Sequence, residues 1–300
     1  MAVSLTPLQA LCFMVIYCLI YLLPLYALPA TRPSPIRSRD APDSIRARIR
    51  AVSASTLICS LTTFFILRHT DLPSSPLRHM GYWPVGLSET ANVLLLTALL
   101  FSAPIYESLL IDGWWRDWVR LDPLGSLWTH WPTWRNLVAG PITEECLFRA
   151  AAVPLLLLAG SETNFVIFVS PLIFGLAHIH HFYEFRLANP QTPLAMAVVR
   201  SLVQLTYTSI FGSYATFIFL RTGSILAAIS VHILCNTMGL PRLWGSLHPY
   251  WITRQSEPKV WYGHVFISTV LYYLLLLGGA TLWWANLYSL TQSPMALALL

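Results

Sequence analysis

Three short stretches of this 300-residue chain place polar side chains at helical spacing inside apolar sequence. In "GPITEECLFR" (140–149), Glu144 and Glu145 are adjacent and Arg149 follows Glu145 by four residues. In "FGLAHIHH" (174–181), Phe174 precedes His178 by four, and His180 and His181 continue the run. In "SVHILCN" (230–236), His232 precedes Asn236 by four. Ionisable groups in such surroundings are costly unless they are paired or used, so each is a functional candidate.

On a helix, residues four apart share a face, so Arg149 neutralises Glu145. Glu144 is rotated by about 100° from Glu145 and has no local cation. Gly140-Pro141 reads as a helix start, which would set both glutamates near the positive end of the helix dipole. The Phe174 ring packs beside the His178 imidazole, and His232 and Asn236 present N–H donors on one face. Together these groups could run a hydrolysis. A carboxylate and a histidine orient and deprotonate water for attack on a carbonyl. A second histidine and an amide stabilise the oxyanion that forms. Two non-catalytic readings accompany this one: a buried ion-pair network for the glutamates, and interhelical hydrogen bonding for His232 and Asn236.

The elements that must position these groups are membrane helices. Hydrophobic residues make up 56% of the chain and charged residues only 10%, and the mean hydropathy is +0.60. A soluble domain would carry about 25% charged residues. The sequence therefore predicts an all-α, polytopic integral membrane bundle of about eight transmembrane helices. Candidate spans are 8–29, 51–67, 91–110, 137–159, 163–180, 194–220, 224–240 and 263–287. The fifth and seventh are short and polar-interrupted, which suits helices buried within protein. The first reads as a span, not a cleaved leader, because "MAVSLTP" lacks a positive segment.

The net charge of +5 is carried almost wholly by arginine, with Lys259 the single lysine. Arg32, Arg37, Arg39, Arg46, Arg48 and Arg50 crowd the connection after the first span, which predicts that this connection is cytoplasmic. Alternation then places Arg116, Arg120, Arg135, Arg186, Arg242, Arg254 and Lys259 on the same side, against Arg68, Arg78 and Arg221 opposite. With that topology Glu144, His178 and His232 all fall in the cytoplasmic half of the membrane. The tryptophan- and arginine-rich stretch 112–136 reads as an interfacial segment, not a cofactor platform. No basic, aromatic-interleaved stripe suggests nucleic acid as a partner. Cys12, Cys18, Cys59, Cys146 and Cys235 lack C-x-x-C spacing and read as small core residues.

At these residues the chain resembles the type II CAAX prenyl proteases, whose motifs E-E-x-x-x-R, F-x-x-x-H and H-x-x-x-N stand here in order. The likeness spans about residues 133–242. It implies removal of the last three residues from proteins prenylated on a C-terminal C-a-a-X cysteine, such as Ras-like GTPases, at the endoplasmic reticulum membrane with the site toward the cytoplasm. By that likeness Glu144 and His178 activate water, His232 and Asn236 form the oxyanion site, and Glu145, Arg149 and Phe174 support them. It implies no cofactor, with prenylated proteins and the lipid bilayer as partners. The division expected is membrane helices with a basic loop over 1–110, a catalytic core over 111–242 and a final loop and helix over 243–300.

Three rivals remain at the level of sequence. Glu144, His178 and His232 could ligate zinc with a fourth position open, although H-E-x-x-H is absent. Cys146 could act as a nucleophile. A non-catalytic scaffold or transporter could use the same charges for packing or an ion path. His180, His181 and Glu184 have no assigned role.

Overall fold

The computed structural model describes residues 4–34, 38–252 and 258–298. Among them every regular element is helical. Arg37 and Arg254, two of the arginines used to orient the chain, lie outside the described residues.

All eight apolar stretches are helical. We label them α1 (Pro7–Ala27), α2 (Pro42–Arg68), α3 (Leu87–Leu100), α4 (Gly140–Glu145, the centre of a longer run), α5 (Ser170–Ala177), α6 (Leu194–Thr222), α7 (Ile225–Met238) and α8 (Lys259–Asn286). By length and apolarity, α1, α2, the run Phe165–Ala188 through α5, α6 and α8 can each cross a membrane, which makes five. A sixth is the bent pair Leu87–Leu100 and Ser102–Ile111.

The expected straight span 91–110 is thus broken, with an 81° bend after α3. Pro104 follows the break; it has no N–H for the Leu100 carbonyl, and its ring would clash with that carbonyl in a continuous helix. The fifth span is also longer than expected, because helix resumes at His180 and runs to Ala188. α7 and, without its bent partner, α3 are 14 residues each and too short to cross alone, since either extends about 21 Å against a hydrocarbon core of about 30 Å. Finally, α2 begins at Pro42, so Arg46, Arg48 and Arg50 ride on its first turns and not on a loop.

The expected helix start at Gly140 is overturned. Helix is continuous from 131 to 158, with π-helical segments at Arg135–Ala139 and Cys146–Ala152 on either side of α4. Another π segment, Phe165–Val169, precedes α5. Each of these three ends two residues before a proline: Pro141, Pro154 and Pro171. A π turn shifts the hydrogen-bond ladder by one residue, so the missing proline N–H falls where the register changes. Prolines that would otherwise end helices are absorbed this way. The glutamates consequently lie mid-helix, and no helix N-terminus stabilises them.

Helix α1 packs on α2 through apolar faces and a few buried hydrogen bonds, with Tyr17 Oη 2.9 Å from Thr63 Oγ1 and Ser55 donating to the Ile20 carbonyl at 2.8 Å. The Thr63 hydroxyl also donates to the Ala151 carbonyl at 2.9 Å, tying α2 to the glutamate-bearing run. The main core joins α1, that run, α5 and α6 around Leu147, Phe148, Ala151, Leu155, Phe174 and Phe219. The stretch 112–136 forms short surface helices with exposed Trp114, Trp115, Trp118 and Trp128. That exposure suits the headgroup position expected of it.

Candidate active site

A cavity of about 390 Å³ opens between the end of α1, the start of α2, the beginning of the 131–158 run, the end of α5, α6 and the end of α7. Glu144, His178 and Asn236 all line it. The fourth expected residue, His232, joins them through Glu144: its Nε2 lies 3.9 Å from Glu144 Oε2. The structure therefore brings together the four polar groups singled out on three separate helices.

Glu145 is the hub behind that wall. It is fully buried, and its Oε1 receives Arg149 Nη1 at 3.0 Å and His232 Nδ1 at 2.7 Å. The Arg149 pairing is the one its spacing predicts. The second Arg149 amino group donates to the Gly212 carbonyl at 3.1 Å, and the guanidinium lies 4.6 Å from the Phe174 ring centroid. These contacts pair a buried cation with a buried anion, as burial demands. Glu145 Oε2 remains buried without a hydrogen bond among the described residues.

The Glu145 contact defines the chemistry of His232. A carboxylate only accepts, so Nδ1 must carry the proton. Nε2 is then a lone-pair acceptor in the neutral ring and a donor only in the imidazolium. Phe211 stacks on the ring at 4.5 Å and fixes its plane. The oxyanion role expected of His232 thus requires the charged ring, flanked by one carboxylate on each nitrogen.

His178 is oriented on the other side. Its Nδ1 is 2.8 Å from the Phe174 carbonyl, so that nitrogen donates and Nε2 keeps its lone pair. The Phe174 ring packs edge-on against it at 4.8 Å, and against Phe148 at 5.0 Å. The Phe174 ring thus packs beside the imidazole as the spacing predicts. Glu144 carries a side chain one-fifth exposed (21%) to the cavity, and no hydrogen bond reaches it among the described residues. Asn236 donates one amide N–H to the Asn136 carbonyl at 3.0 Å, which leaves a second N–H.

Cys146, considered as a nucleophile, is not part of the cavity wall. The zinc alternative meets a different geometry. Among the described residues the trio whose ligating atoms converge within 4.8 Å is His180, His181 and Glu184, not Glu144, His178 and His232. That trio is itself committed to cations, because Glu184 pairs with both Arg39 and Arg48. Two guanidiniums on its carboxylate oppose a metal ion there.

Comparison with known proteins now decides the family. Residues 126–238 match the family model described as type II CAAX prenyl endopeptidase Rce1-like. The chain is 34% identical over 255 residues to the probable CAAX prenyl protease 2 of Schizosaccharomyces pombe, covering 85% of this chain and 88% of that protein. It is 37% identical over 169 residues to the CAAX prenyl protease 2 of Arabidopsis thaliana, covering 51% and 54% respectively. Against the human CAAX prenyl protease 2 it is 32% identical over 223 residues, covering 70% and 66%. No solved structure matches the chain. The chain belongs to the type II CAAX prenyl endopeptidases.

In this CAAX endopeptidase the cavity has a second wall that the motifs did not point to. Tyr21 of α1 reaches it and is hydrogen-bonded to Thr143, next to Glu144, at 3.1 Å. Glu184, 4% exposed, accepts from Arg39, Arg48, His181 and Tyr26 at once. This clasp joins the 38–48 segment and the end of α1 to the helix that follows His178. His181, Arg39 and Arg48 therefore owe their places in the wall to a buried carboxylate. The sequence signal for this wall is the arginine excess after the first span, which carries orientation as well.

Proposed function

We propose that this endopeptidase removes the C-terminal tripeptide from proteins prenylated on a C-a-a-X cysteine, such as Ras-like GTPases, using water activated by Glu144 and His178. The observation that carries the reading is the shared cavity: Glu144, His178 and Asn236 line it and His232 approaches Glu144 to 3.9 Å. Water sits between the Glu144 carboxylate and the His178 Nε2 lone pair. Its oxygen bonds to the carbonyl carbon of the prenylated cysteine while Glu144 takes the proton. The carbonyl electron pair moves to oxygen, where His232 Nε2–H and the free Asn236 amide N–H receive it. Collapse expels the tripeptide nitrogen, which recovers the proton from Glu144. Atoms and charges balance without a covalent enzyme intermediate.

A prenyl chain partitions into lipid at about 0.8 kcal/mol per buried CH₂, so a cavity set among membrane helices meets its substrate where the substrate resides. The arginine bias supports a cavity turned toward the cytoplasm, and the family likeness supports the endoplasmic reticulum membrane as its place. Cleavage of a prenylated C-a-a-X peptide by membranes containing Glu144→Gln tests the reading. Activity falls about 10²–10⁴-fold if Glu144 is the general base, with the variant present at wild-type abundance; unchanged turnover removes the assignment. The reaction proposed uses no metal. Purified enzyme accordingly keeps its activity after exhaustive chelation, whereas loss restored by zinc would favour the metal-dependent alternative.

A further inference from the structure

We propose that Arg39 and Arg135 bind the free C-terminal carboxylate of the substrate and thereby set the cut at three residues from the end. This rests on the endopeptidase reading above. Arg39, Arg48 and Arg135 all line the mouth of the same cavity. Among the described residues they share two carboxylates: Glu184 takes Arg39 and Arg48, and Asp40 takes Arg135 at 2.6 Å with Arg39 at 3.8 Å. One positive charge at the mouth is left in excess. Glu144 does not cancel it, because it stands deeper along the helix beside His232.

The three arginines are not equivalent. Arg48 has a side chain 9% exposed and donates to the Thr31 carbonyl and Glu184, which makes it structural. Arg39 and Arg135 have side chains 34% and 20% exposed, and their shared partner Asp40 is 56% exposed. Each keeps an amino group, Nη2, that makes no hydrogen bond among the described residues. A planar guanidinium with free N–H groups beside an open cavity suits a carboxylate ligand.

The spacing fits the reaction. Arg135 and Glu144 lie on one continuous helical run nine residues apart, about 13 Å along the axis. Three extended residues span about 10 Å, and the remaining difference is within reach of the two side chains. A substrate anchored by its terminal carboxylate at Arg39 and Arg135 presents its third peptide bond from the end to Glu144 and His178. A longer or shorter tail does not.

The test compares two prenylated C-a-a-X peptides that differ only in a free or amidated C-terminus. Wild-type enzyme is expected to prefer the acid by tenfold or more in kcat/KM, mostly through KM. In Arg39→Ala/Arg135→Ala the acid-to-amide ratio falls toward one, and Arg135→Lys retains an intermediate ratio. Equal use of acid and amide by wild-type enzyme overturns the proposal even if the variants fail to fold. Variants that lose acid and amide turnover in equal proportion also overturn it and mark the arginines as structural or lipid contacts. Failure of the endopeptidase reading looks different, because neither peptide is then cleaved by wild-type enzyme.

Discussion

At the scale of single residues, the site depends on Glu145 serving two partners from one oxygen. Arg149 neutralises it and His232 is oriented by it. Removing one member of a buried ion pair leaves the other charge uncompensated and costs about 3–5 kcal/mol. Arg149→Ala should therefore lower the thermal stability of the detergent-solubilised protein strongly, as well as abolishing activity. Glu145→Gln also leaves the guanidinium without its counter-charge, but it keeps the volume and an acceptor oxygen for Arg149 and His232. It should therefore destabilise less than Arg149→Ala while losing turnover, because a neutral amide holds the His232 ring less firmly than a carboxylate. A thermal melt and a turnover assay on both variants check this ordering; equal stability of the two would remove the hub role. The Arg149 contact was legible because both residues lie on one helical face. The His232 contact was not, since it joins residues 87 apart in sequence and only tertiary packing sets that distance.

At the scale of elements, register and close approach decide the geometry. Gly140-Pro141 reads as a helix start by every local rule, yet the π segment at Arg135–Ala139 absorbs the proline and carries the helix through. Local propensity cannot signal a register shift that depends on packing against neighbouring helices such as α2 and α7. The eight helical stretches, by contrast, were legible from apolar runs alone, and the break after α3 could have been read from Pro104. One close approach beside the site lies at Gly212 of α6. A Cβ there would stand 2.9 Å from Pro171 Cβ, 3.2 Å from Phe174 Cδ1 and 3.3 Å from Arg149 Nη2. The first two atoms belong to the helix that places His178, and the third to the Glu145 pair. Gly212→Ala should push α6 away from both and reduce cleavage with lowered thermal stability. Gly125→Ala, with nothing within 4 Å, is the matched control and should change neither. Normal activity in Gly212→Ala would show that the α5–α6 contact does not set the imidazole.

At the scale of the whole molecule, the cavity wall is built mostly from one end of the bundle and reaches inward to Glu144. Tyr21 comes late in α1, Arg48 early in α2, Arg135 early in the 131–158 run with Glu144 midway along it, His178 at the end of α5 and Asn236 late in α7. The same end carries the connection between α1 and α2, and three of the arginines from which the orientation is read, Arg39, Arg48 and Arg135, also line the cavity. Orientation and substrate access thereby become a single question. If basic connections stay in the cytoplasm, the cavity faces the compartment where prenylated proteins are made and a carboxylate terminus can enter. Only the lumenal side adds N-linked glycans, so an acceptor tag reads the side directly. A tag inserted in the 28–41 connection should remain unmodified in microsomes, and one in the 69–86 connection, at the opposite end of α2, should be glycosylated. The reverse pattern would turn the arginine mouth to the lumen and separate the site from its proposed substrates, whatever the activity of the purified protein.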